Sequence, residues 1–200
     1  MALTYHNNNS ISNVTSFAQI PSGSPVLLST ATASASSSIS FTSGIDSTYD
    51  VYQFEFIDIH PSTNRAMFQF NLSTDSGSNY NVTKTSSYFQ AVHLENDVSA
   101  SLGYYIYNDL AQSTSDQIIM IEQGNDSDQT GSGSMFLFNP SSTTYVKHFI
   151  AITNNYQDED RSYNTFVGGY GNTTNSINGI IFRMSSGNID AGTIKMYGIK

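Results

Sequence analysis

The apolar residues of this chain arrive in short alternating runs, and that alternation constrains the fold more than any other feature. In AMFQFNLS, Ala66, Phe68, Phe70 and Leu72 alternate with Met67, Gln69 and Asn71. A period of two puts the first set on one, buried face of an extended strand and the second on the other. In YDVYQFEFIDIH the same rule puts Tyr52, Phe54 and Phe56 on one face and Val51, Ile57 and Ile59 on the other. The longest unbroken apolar runs, such as Ile118 to Ile121, are far too short to span a bilayer as a helix.

From Val26 onward strand follows strand. The pattern predicts strands over Val26–Thr32, Ser36–Thr42, Tyr49–Ile59, Ala66–Leu72, Ser86–Leu94 and Asp116–Gln123. Met135–Phe138, Tyr145–Thr153, Asn164–Tyr170, Ile177–Met184 and Gly192–Ile199 complete the series. Polar loops are expected at Thr74–Tyr80, Gly124–Ser134 and Asn154–Tyr163, and His60-Pro61 reads as a turn because proline cannot donate to a ladder. Between Glu95 and Ser115, Val98, Leu102 and Tyr105 have helical spacing while Gly103 and the aromatics suit a strand. One short helix or turn is expected there. About ten strands with no fixed repeat predict an all-β, antiparallel, jelly-roll-like β-sandwich. The last strand runs to Ile199, so loss of GTIKMYGIK is expected to destabilise the fold.

Residues 1–24 are polar and weakly patterned and end in the turn Pro21–Pro25. They read as an N-terminal arm or attachment segment ahead of a domain over 25–200. Its apolar residues Leu3, Tyr5, Ile11, Val14, Phe17 and Ile20 are candidates for packing on a neighbour. No basic region followed by an apolar stretch opens the chain, so no secretory leader is expected.

Composition narrows the function. The 13 Tyr and 12 Phe together outnumber the charged residues, 7 basic and 16 acidic. A net charge of −9 argues against nucleic acid, which needs a basic stripe, and against an anionic membrane. The absence of cysteine excludes a disulfide framework and thiolate-bound zinc. His6, His60, His93 and His148 lack the spacing of a helical metal pair; His93 and His148 lie in strands and meet only if a sheet brings them together. The loop carboxylates Asp75, Asp97, Asp126 and Asp128 are read as solvated, as is the cluster Gln157–Arg161. No metal and no cofactor is expected. Glu55, Glu95 and Glu122 have nothing in their surroundings that separates an acid from a nucleophile, and no Gly-x-Ser-x-Gly elbow occurs. No catalytic residue is assigned, and the chain is expected not to be an enzyme. The tyrosines are the better clue: Tyr80, Tyr104, Tyr105, Tyr107, Tyr156 and Tyr163 lie in or near loops. Tyr among Ser, Gly and Asn makes adhesive, low-charge surfaces and stacks on sugars. The competing reading is core tyrosine with its hydroxyl reaching the surface.

Longer stretches resemble a known group of proteins. SFAQIPSGSPVLLSTATASASSSISFTSGIDSTYDVYQFEFIDIHPSTN, STDSGSNYNVTKT, LFNPSSTTYVKHFI and FRMSSGNIDAGTIKMYGIK resemble a family of small virion structural proteins of tailed bacteriophages, notably marine ones. The resemblance implies a β-sandwich on the surface of a virion and transfers no catalytic residue. It also implies a homotrimer in contact with other virion proteins of capsid or tail. Two roles follow as expectations: an oligomeric capsid decoration or head-fibre module, or a tail-fibre adhesin that binds host-surface glycan through its loop tyrosines.

Overall fold

The computed structural model describes residues 24–200, all of them in strands, turns or loops. The arm residues Leu3, Tyr5, Ile11, Val14, Phe17 and Ile20 lie outside the described residues. Twelve strands follow in chain order: β1 Val26–Thr32, β2 Ile39–Phe41, β3 Val51–Pro61, β4 Ala66–Ser73, β5 Lys84–Leu94 and β6 Ala100–Tyr104, then β7 Gln117–Gln123, β8 Gly131–Phe138, β9 Lys147–Gln157, β10 Arg161–Gly171, β11 Gly179–Met184 and β12 Ile189–Ile199. Every ladder is antiparallel.

Two layers emerge from the pairing. One runs β1-β12-β3-β8 and the other β2-β11-β4-β7. Renumbered among themselves, these strands take the order of a jelly roll, in which Greek keys fold one antiparallel ribbon into two sheets. The remaining strands extend the first layer beyond β8 in the order β9-β10-β5-β6. This large sheet curls around the small one until β9 touches β7 at a single pair, Gln123 with Gln157, so the sandwich is nearly closed into a barrel.

Phe182 on β11 centres the core. Its ring lies 5.4 Å from Phe54, 5.2 Å from Phe56 and 5.8 Å from Phe68. The Phe54 contact is tilted, the Phe56 contact edge-on and the Phe68 contact stacked, and such aromatic pairs add to the stabilisation from area burial alone. The period-two reading of β4 holds at Phe68, Phe70 and Leu72, all fully buried. In β3 it holds only to Phe56. Asp58 takes a φ of +51°, and the register with β8 shifts between Phe56 and Ile59. This bulge inserts a residue and swaps the faces. Ile59 therefore joins Tyr52, Phe54 and Phe56 inside, and Ile57 is left outside.

Two further expectations are corrected and one open reading is resolved. Pro61 is the last residue of β3, paired with Ile189, because its missing donor matters only beyond that point. The stretch 95–115 holds the turn expected there, at 106–108, and ahead of it a strand, β6, whose Ala100–Tyr104 pair with β5. Residues 131–134, read as loop, open β8 between β3 and β9. A Cβ on Gly131 would lie 2.6 Å from Met120 Sδ, and one on Gly133 2.4 Å from the Ile152 carbonyl oxygen, so close packing sets these glycines.

The fourth edge of the jelly roll, β7, is sealed by side chains. Thr153 donates to the Ile119 carbonyl, and Asn155 Nδ2 donates to the Ile121 carbonyl at 2.8 Å. Those β9 side chains substitute for a neighbouring strand, which explains why polar residues fill the inner face of β9.

Candidate functional site

Curling the large sheet around β7 turns one face of β9, β10 and β5 inward and leaves the other to solvent. The inward set is Phe149, Ala151, Thr153 and Asn155 on β9, with Tyr163, Thr165 and Val167 on β10. The outward set is also apolar. Across the ladders Tyr104 pairs with Phe89, Phe89 with Phe166, and Phe166 with Ile152. One register step away Ile150 pairs with Phe136. The Phe89 and Phe166 rings stack at 5.0 Å. Phe89 is 41%, Ile150 47%, Ile152 48%, Tyr104 54% and Leu102 73% exposed. Just beyond β6, Ile106 is 66% and Tyr107 88% exposed.

This face is electrically quiet. No outward position of β8, β9, β10, β5 or β6 carries Asp, Glu, Lys or Arg. Carboxylates border it on both sides: Glu55 on β3 lies across Ser134 from Ile152, and beyond β6 Asp109 accepts a hydrogen bond from Tyr104 Oη at 2.5 Å and raises that phenol above its usual range. His93 pairs with Asp97 at 3.0 Å at the β5–β6 turn, the opposite end of that ladder. A shallow groove of about 510 Å³ lies between β10 and β6, lined by Ala91, His93, Ala100, Leu102, Ser162 and Asn164. Among the described strands β6 has only one partner, so its outer edge offers free backbone donors and acceptors beside the apolar face.

The tyrosines picked from the sequence are divided by the fold. Tyr104 on β6 and Tyr107 just beyond it are exposed. Tyr105 is half-buried and packs against the main core. Tyr163 is a correction: it is 6% exposed, because its position on β10 points inward onto Val92 and Ile121. Tyr80 is half-buried in the β4–β5 loop. Tyr156 lies on β9 and donates to Asp160, which raises its pKa. The expected loop Asn154–Tyr163 shrinks to a turn, since β9 and β10 form a long hairpin around 158–160. That turn and 124–130 share one end of the sandwich, whereas 74–80 lies at the other, so no common loop surface gathers these tyrosines.

Other candidates disperse in the same way. His93 pairs with Ser162 and His148 with Tyr170, near opposite ends of β10. Glu122 is bound to Arg65 at 2.9 Å, together with Asp158 and Glu159, in a solvated network at one end. Glu55 lies outward on β3, paired with Lys195. Asp75 caps its own loop through Ser73 and Asn79; the Asn79 and Ser73 hydrogen bonds hold its carboxyl down at about 2. Among the described residues no group of three or more His, Asp or Glu is placed to hold a metal.

No family model, curated protein or solved structure matches the chain.

The outer face itself was missed from the sequence, although a signal was present. In HFIAIT both alternating sets of β9 are apolar, which marks a strand covered on both sides.

Proposed function

We propose that this chain is a non-enzymatic structural protein of a virion surface, an oligomeric capsid decoration or head-fibre module that assembles through the outer face of its large sheet. The observation that carries the reading is that face: aromatic and aliphatic, free of formal charge, on a chain with a net charge of −9. A second copy of the same chain is the occupant it suits. Two acidic protomers repel one another everywhere except where neither presents a carboxylate. The area also suffices. At ~200 Å² for a free large side chain, the exposed parts of Phe89, Leu102, Tyr104, Ile106, Tyr107, Ile150 and Ile152 sum to roughly 800 Å², about one partner's share of a standard interface. The virion setting and the trimeric order rest on the resemblance of the quoted segments to phage proteins; closed symmetry would bury every such face at once.

Light scattering tests the assembly. The expected result is an oligomer for the wild type and a folded monomer for the double variant Phe89→Glu/Ile152→Lys. A monomeric wild type at micromolar concentration overturns it. Quantitative mass spectrometry of purified particles tests the setting: hundreds of copies support a shell decoration, a dozen support a tail adhesin instead, and absence overturns the virion reading.

A further inference from the structure

We propose that Lys84 and Asn71 join in an intramolecular isopeptide bond, formed when the Lys84 amine attacks the Asn71 carboxamide and ammonia leaves, with Asp116 carrying the proton. The three residues come from β4, β5 and the segment entering β7, and the fold assembles them in its interior. Lys84 is fully buried and Asn71 is 1% exposed. Lys84 Nζ lies 2.6 Å from Asn71 Oδ1 and 2.9 Å from the Val82 carbonyl oxygen. Asn71 Nδ2 donates to Asp116 Oδ1 at 2.8 Å and to the Thr114 carbonyl at 2.9 Å. The Leu72 backbone N–H donates to Asn71 Oδ1 at 2.9 Å.

Each contact matches a requirement of the reaction. An amine attacks only when neutral; burial lowers Lys84 to about 8, against the opposing pull of Asp116. A carboxamide is a weak electrophile, and the Leu72 N–H is aimed at the oxygen on which negative charge develops. The leaving nitrogen needs a proton, and Asp116 already touches it. Burial pushes the Asp116 carboxyl up, but the hydrogen bonds from Arg183 and Asn71 outweigh this and hold it below its usual range. It therefore stands ready as a carboxylate to take the amine's proton. The balance closes without a redox partner: the bond from Lys84 Nζ to Asn71 Cγ forms, the Cγ–Nδ2 bond breaks, Nζ loses one proton, and Nδ2 departs with it as ammonia. Fixed neighbours and excluded water supply the effective concentration that such a slow acyl transfer needs.

The bond would staple the two layers, since β4 belongs to the small sheet and β5 to the large one. In a chain without cysteine it is a covalent brace insensitive to redox state.

Mass spectrometry of the full wild-type chain is the test. The expected protein is lighter than its sequence mass by one ammonia. After denaturation trypsin cuts at Arg65 and Lys147 but not at Lys84, and fragmentation spectra join Asn71 to Lys84. Lys84→Arg and Asn71→Ala restore the full mass, Asn71→Asp loses water in place of ammonia, and Asp116→Ala slows bond formation by about 100-fold or more. Full mass with free cleavage at Lys84, after long incubation near pH ~9 where the amine is neutral, overturns the proposal. So does an ammonia loss that maps elsewhere, such as to a succinimide at Asn178-Gly179. The wild type alone decides between bond and no bond, whether or not every variant folds.

Discussion

Lys84 and Lys147 are near-equivalents in the fold. Each opens a strand, each pairs with Gly171 from opposite sides of β10, and each is fully buried. Burial lowers the basicity of both. Their heads meet different chemistry. Lys147 Nζ donates to the carbonyls of Tyr145 at 2.8 Å and Thr173 at 3.1 Å, which are inert acceptors in a loop. Lys84 faces a side-chain carboxamide backed by a carboxylate. Burial makes a lysine nucleophilic, but the atoms around it decide whether there is anything to attack.

The largest expected consequence is in stability. Lys84→Met removes the brace and the buried donor to Asn71 Oδ1 and the Val82 carbonyl, so its unfolding free energy in urea falls by about 3–5 kcal/mol. Lys147→Met replaces an amine that only satisfies two carbonyls, and is expected to lose about 1 kcal/mol. Equal losses would break the comparison and reduce Lys84 to a second Lys147.

A smaller effect lies in pH. Asn71→Ala cannot form the bond and keeps Lys84 as a free, buried amine. Its folded pKa of about 8 is under the ordinary 10.5, so between these values the unfolded chain binds the additional proton. Stability therefore rises with pH across that window. Above ~10 the opposite sign takes over, because Tyr88 is held neutral by burial while its unfolded form ionises. Denaturation at pH 8 and 10 is expected to show a gain of about 2 kcal/mol in Asn71→Ala. The crosslinked wild type should show only the part due to Lys147. Identical slopes would mean that Lys84 still titrates in the wild type.

The alternation of β4 and the first half of β3 made the sandwich legible, because one-sided burial is what period two reports. It misplaced Asn71. By period Asn71 belongs with Met67 and Gln69 on the polar face, yet it is buried, because the extension of the large sheet covers that side of β4 as well. The same covering buries Tyr163 and brings Lys84 against Asn71. Asp58 was illegible for another reason: a positive φ at a non-glycine residue leaves no mark in the pattern, although it reverses the faces beyond it. The reactive cluster depends on wrapping by a distant hairpin, and no local spacing in the chain encodes that.

The finest test concerns Arg183, which has no counterpart at Lys147. Its guanidinium binds both oxygens of Asp116, Nε to Oδ2 at 2.5 Å and Nη2 to Oδ1 at 3.0 Å, while its own side chain stays 45% exposed. Such a pair contributes little to stability, so Arg183→Gln is expected to lose about 1 kcal/mol or less. Its effect on the chemistry runs the other way. Arg183 holds Asp116 as a weak base, and without it the carboxylate takes the Lys84 proton more readily. A time course of intact mass after refolding should show the ammonia lost faster in Arg183→Gln than in the wild type. Slower loss would mean that Arg183 acts by fixing the angle of Asp116, and the two lysines would then differ by positioning more than by basicity.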